Sequence, residues 1–171
     1  MEAVEAYKFA YYPSFTSPFC ASLWKTHSGD LYGSMWMNTP IRPVSTSMSD
    51  VEYKHLRAST EIQRLGDLDP IAWRVLQDTL DRTGFWTDNE WILEHGRDGA
   101  DWYFQGLRDG QYLLQRVWSP DRGTPAYELG RFFFSLIPSD FAFVVYEDDE
   151  NSYQRFEGIA QPKGISTIFV Y

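Results

Sequence analysis

"WYFQGLRDGQYLLQRVWSP", residues 102–120, decides the fold. Aromatic and apolar residues crowd 101 to 107 and 111 to 118, and the two runs flank Arg108, Asp109 and Gly110. Asp and Gly tolerate the positive φ values of a two-residue turn, so the stretch predicts a β-hairpin with Asp109 and Gly110 as its loop. The register follows by counting: Arg108 pairs with Gln111, Gly106 with Leu113, Phe104 with Gln115 and Trp102 with Val117. Trp102, Phe104 and Gly106 then share a face with Leu113, Gln115 and Val117. Tyr103, Gln105 and Leu107 share the other with Tyr112, Leu114, Arg116 and Trp118. Neither face is purely polar, which sets one against helices and leaves the other partly covered by loops or a partner.

A helix is expected on each side of the hairpin. Upstream, Asp69 can accept from the free amides of a first turn and Pro70 suits the first helical position, so 69 to 84 reads as a helix. Ala72, Trp73, Leu76 and Leu80 fall on one face with Val75 beside them, and Gly84 stands where a left-handed C-terminal cap is wanted. Phe85 and Trp86 should tuck under that cap. Downstream, Thr124 and Pro125 repeat the same start signal, with Ala126, Leu129, Phe133, Leu136 and Ile137 as the buried stripe and Pro138 as the stop.

Further out, residues 7 to 65 carry aromatic and β-branched side chains punctuated by Pro13, Pro18, Gly29, Gly33, Pro40 and Pro43, which reads as short strands near 7–12, 19–26 and 31–37. "NTPIRPVSTSMSD", residues 38–50, reads as a surface loop, and "HLRASTEIQRL", residues 55–65, as a further strand. The order of strands, helix, hairpin and helix predicts an α+β fold: an antiparallel sheet with two main helices packed on it. A chain of 171 residues fits a single domain, 1–171. Its final part, 139–171, holds six acidic residues against Arg155 and Lys163 and so reads as an acidic C-terminal extension, with "ISTIFVY" as a closing strand.

Composition narrows the function classes. A net charge of −9 opposes affinity for phosphate backbones and anionic membranes, so no nucleic-acid or membrane partner is expected. The most membrane-like run, "FFFSLIPSDFAFVVY", is too short to span and is interrupted by Pro138, Ser139 and Asp140. Glu2 and Glu5 stand where a secretory signal needs Lys or Arg, and the lone Cys20 allows no internal disulfide, so a cytoplasmic setting and a buried thiol are expected.

From "DRTGFW" through "DGADWYFQGLRDGQYLLQRVWSP" to "YELGRFFFSL" the chain resembles a widespread group of small bacterial proteins of uncharacterised activity. Those proteins combine a tryptophan strand, a Gly-x-x-(Asp/Asn)-Gly-x-Tyr hairpin, an Arg-x-Trp-Ser-Pro exit and a Leu-Gly helix. Trp102, Gly106, Asp109, Gly110, Tyr112, Arg116, Trp118, Ser119, Pro120, Leu129 and Gly130 carry the match. The group usually has Glu at the position of Gln105 and often His at that of Leu113, so an acid/base pair one would assign there is missing from this chain. The resemblance therefore implies a fold more than an activity.

No assembled catalytic set emerges from the motifs. His27, His55 and His95 lie in separate segments without metal-ligand spacing, and there is no nucleophile elbow, so neither a metal nor a cofactor is expected. The nearest approach to one is "EHGRDGAD", where Glu94, His95, Asp98 and Asp101 can converge on a proton or a metal from a glycine-rich loop. A solvated polar loop is the plainer reading of it. "EDDEN", residues 147–151, lacks the ligand alternation of a calcium loop and reads as a solvated acidic turn. On the hairpin, Arg116 and Trp118 can stack and present a planar donor, with Tyr112 in the same patch; Trp, Tyr and Arg are the residues that dominate binding hot spots. The plain alternative has Trp118 capping the core and Arg116 pairing with an acid such as Glu128.

Three functions follow. The favoured one is a non-catalytic protein-binding module, immunity- or regulator-like, using Tyr112, Arg116 and Trp118. The others are an enzyme built on the 94–101 loop and a structural homo-oligomer subunit with a self-complementary surface.

Overall fold

The computed structural model describes residues 3–14, 18–40, 59–87, 91, 99–137, 143–144 and 155–156. Six strands form one antiparallel sheet: β1 (Ala3–Pro13), β2 (Phe19–Thr26), β3 (Leu31–Pro40), β4 (Ser59–Asp67), β5 (Ala100–Arg108) and β6 (Gln111–Trp118), in the order β4-β3-β2-β1-β5-β6. Two helices, α1 (Pro70–Arg82) and α2 (Pro125–Ser135), pack on it, and β7 (Phe143–Val144) pairs separately with β8 (Arg155–Phe156). This is the α+β arrangement expected. The first four strands run as a meander away from β1. The chain then crosses back through α1 and adds β5 on β1's other side, which leaves β1 central.

The hairpin has the expected register throughout, from Arg108 opposite Gln111 to Asp101 opposite Trp118. Asp109 at φ 52° and Gly110 at φ 75° make the turn. Side chains alternate as the period of a strand requires: Trp102, Phe104, Gln115 and Val117 are buried, whereas Tyr112 and Leu114 on the other face are exposed. On β1, Tyr7, Phe9 and Tyr11 face the same way as Trp102 and Phe104.

The helix caps are formed as the sequence implies. Asp69 accepts from the Ile71 amide at 2.7 Å, and Pro70 follows it. At the other end the Phe85 amide donates to the Leu80 carbonyl and the Gly84 amide to that of Asp81, a Schellman closure with Gly84 at φ 65°. That closure turns Phe85 and Trp86 onto the sheet, where they lie against Gly106; a Cβ there would sit 2.6 Å from the Phe85 ring. For α2, the Thr124 hydroxyl accepts from the Tyr127 amide at 3.3 Å.

One core results, all on one side of the sheet. The Phe9 ring lies 4.9 Å from Phe104, 5.3 Å from Phe133 and 5.1 Å from Phe134, while Tyr7 meets Trp73 of α1 at 5.9 Å. Trp102 lies flat on α2: its ring stacks with Tyr127, and a Cβ on Gly130 would fall 2.0 Å from it. Tyr7 donates its phenol proton to Glu5 at 2.7 Å, and the buried side-chain nitrogens of Gln77 and Trp86 approach that oxygen without completing a hydrogen bond. Burial, then the bond to Glu5 and its negative charge, push the Tyr7 phenol well above its ordinary range.

Three details differ from the sequence reading. Residues 38–40, expected in a loop, continue β3, because β4 reaches far enough to pair Thr39 with Thr60 and Pro40 with Ser59. The strand expected at 55–65 is described from Ser59 and ends at Asp67. The α2 helix buries more than a stripe: Tyr127, Phe132 and Phe134 are also inside, since the helix touches α1 as well as the sheet. Its last turn closes at Leu136; Pro138, the acidic segment around 147–151 and the final 165–171 lie outside the described residues.

Candidate functional surface

Both of these helices cover the same face of the sheet, so among the described residues the opposite face has no helix over it. Alternation places Lys8 and Tyr12 of β1, Cys20, Ser22 and Trp24 of β2, Tyr32 and Trp36 of β3, and Tyr103 and Leu107 of β5 on this open face. From β6 it receives Tyr112, Leu114, Arg116 and Trp118. Tyr12, Tyr112 and Leu114 are 53, 63 and 50 % exposed, and all three are on this face. Large apolar groups left in water together are the uncommon feature, since isolated ones are normal.

The residues singled out on the hairpin do share this face. Tyr112 stands beside the turn with its ring in solvent. Arg116 donates from Nε to Asp101 Oδ1 at 2.7 Å, and its guanidinium lies 5.6 Å from the centre of the Tyr103 ring, directly across the ladder. The bond to Asp101 holds that guanidinium above even its usual high range. Arg116 therefore does not stack on Trp118; it pairs locally with an acid, as the plain alternative expected, but the acid is Asp101 rather than Glu128. In strand register Tyr103 is opposite and Asp101 is one step diagonal, so both are nearer than the next residues on β6 or the distant helix. Trp118 is half-buried at the hairpin's base, over Gly99, where a Cβ would lie 2.9 Å from the indole. It closes the hairpin as much as it furnishes the face.

Of the alternative acidic site, Asp101 is the second residue of β5 and is taken up by Arg116. Glu94, His95 and Asp98 lie outside the described residues. No group of three metal-ligating side chains occurs among the described residues, and no described helix is long and apolar enough to cross a membrane.

Tyr12 and Tyr103 belong to the surface and were not singled out from the sequence. Their rings meet edge to face at 5.8 Å, joining β1 to the hairpin's aromatic patch. Trp24 and Tyr32 form another cross-strand pair at 5.9 Å. Cys20 is half-buried on this face, between Ala10 of β1 and Trp36 of β3, rather than in the core; burial pushes its thiol above the ordinary range, with nearby Lys8 acting in the opposite sense.

The hairpin pattern thus divides by role. Trp102 and Gly130 make the sheet-to-helix contact, Gly106 admits Phe85 and Trp86, and Asp109 with Gly110 turns the chain. Ser119 accepts the Ala100 amide at 2.9 Å and so ties the hairpin's base. Among the described residues Tyr112 makes no such architectural contact. Compared with known proteins, the chain matches no family model and no curated protein.

Proposed function

We propose that this chain is a non-catalytic protein-binding module, immunity- or regulator-like, acting through the open face around Tyr112, Arg116 and Trp118 together with Tyr12, Tyr103 and Leu114. It would belong with the small bacterial proteins that its hairpin resembles and work in the cytoplasm. The observation that carries the reading is the sheet face opposite the two described helices, which bears three large apolar side chains at least half exposed. Such a face offers rigid aromatic area at low entropic cost, with one guanidinium already oriented by Asp101. A net charge of −9 favours a basic protein as the partner, because opposite charge accelerates encounter while the apolar patch supplies the short-range contact.

The test is capture from native lysate followed by titration of the purified captured protein against wild type and a Tyr12→Ser, Tyr103→Ser double variant of confirmed folding. Saturable binding by wild type and its loss in the variant support the proposal. Equal binding by both, or turnover of a small molecule that needs Glu94, His95 or Asp98, would replace it.

A further inference from the structure

We propose that the free edge of β6 pairs with β6 of a second copy of this chain, antiparallel about a two-fold axis through Leu114. Among the described residues β6 is hydrogen-bonded on one side only, to β5. Edge strands usually carry a proline, a lysine or a bulge that blocks pairing. Gln111–Trp118 (QYLLQRVW) has no proline, lysine or bulge, and its one charge, Arg116, is already paired with Asp101.

The turn fixes which backbone groups are free. A two-residue turn is closed by a hydrogen-bonded pair, here Arg108 and Gln111, and such pairs alternate along an antiparallel ladder. Gln111, Leu113, Gln115 and Val117 therefore direct their N–H and C=O groups to β5. Tyr112, Leu114, Arg116 and Trp118 direct theirs to the open edge. Those same four residues place their side chains on the helix-free face.

Pairing β6 with itself about Leu114 satisfies both constraints. Leu114 meets its own copy on the axis, and Tyr112 of each molecule lies opposite Arg116 of the other. The chain already uses that contact internally, because Tyr103 stands opposite Arg116 in the ladder with the guanidinium over its ring. In the pair each Arg116 would lie between Tyr103 of its own chain and Tyr112 of the second copy. Sliding the axis to Arg116 would oppose two guanidinium groups, and a one-residue slip would set open-face side chains against core-face ones. Edge pairing leaves the open faces uncovered and joins them into one surface, so the inference does not rest on the partner proposed above.

Sedimentation of the full-length purified chain over a concentration series tests it. Wild type is expected to show a monomer–dimer equilibrium. Leu114→Lys places two ammonium groups on the axis, and Leu114→Pro removes an outward amide; each should weaken dimerisation by at least about tenfold. Leu114 is half exposed, so the lysine variant should keep its fold even where the proline one does not. The register is read in a Cys20→Ser background: Leu114→Cys should oxidise to a cross-linked dimer, and Tyr112→Cys should cross-link with Arg116→Cys but not with itself. A chain that stays monomeric throughout, a dimer indifferent to Leu114→Lys, or cross-linking regardless of position would overturn the inference.

Discussion

The two faces of the sheet are both rich in aromatic residues, yet they differ in what the rings touch. On the helix-covered face, Phe9, Trp102, Phe104, Phe133 and Phe134 fill one another's surroundings and each is nearly inaccessible to solvent. On the open face, Tyr12, Tyr103 and Tyr112 meet their neighbours in cross-strand pairs or not at all. Burial rather than residue type decides which aromatic stabilises the fold, since the hydrophobic contribution scales with area removed from water.

Substitutions should separate the faces sharply. Trp102→Ala removes a ring packed against Gly130, Tyr127 and Phe9, and should cost about 3–5 kcal/mol in chemical denaturation. A loss below about 1 kcal/mol would mean that α2 does not rest on this ring.

Tyr7→Phe should have a smaller effect, about 0.5–1.5 kcal/mol near neutrality, through the lost bond to Glu5. Its clearer signature is in pH. The folded phenol is held protonated by burial and by Glu5, whereas the unfolded one ionises at about 10. Its contribution is therefore complete below that pH and declines as pH rises above it, because only the unfolded state sheds the proton. Stability of wild type should fall more steeply than that of Tyr7→Phe in this alkaline range. Parallel profiles would contradict the buried placement of the phenol.

Smaller again is the Arg116–Asp101 pair. It is partly exposed, so a double-mutant cycle with Arg116→Gln and Asp101→Asn should return a weak coupling that added salt diminishes. A strong, salt-insensitive coupling would mark the pair as a structural element and weaken the contrast between the faces.

Much of this was legible in the sequence, and the reasons are local. Asp109 and Gly110 fix the hairpin register, and from the register alone the two sets of side chains can be sorted; Asp69, Pro70 and Gly84 likewise bound the first helix. What could not be read is long-range. Nothing local tells that β1 lies between β2 and β5, so the contact of Tyr12 with Tyr103 is invisible until the sheet order is known. The same ignorance of neighbours hid the burial of Phe132 and Phe134, which a one-stripe reading of α2 leaves outside. Asp101 as the partner of Arg116 was within reach, because the predicted register already set them diagonally across the hairpin.

The most direct measurement replaces the three exposed apolar residues of the open face together, Tyr12→Ser, Tyr112→Ser and Leu114→Ser, and follows stability and partner binding in the same preparation. Tyr112→Ser and Leu114→Ser should each change stability by no more than about 0.5 kcal/mol, and Tyr12→Ser, which loses the ring contact with Tyr103, by about 0.5–1 kcal/mol, so a folded chain that no longer binds is the predicted result. A triple variant that unfolds, or that binds as wild type does, would contradict the proposed division of the sheet into a face that holds the fold and a face that recognises a partner.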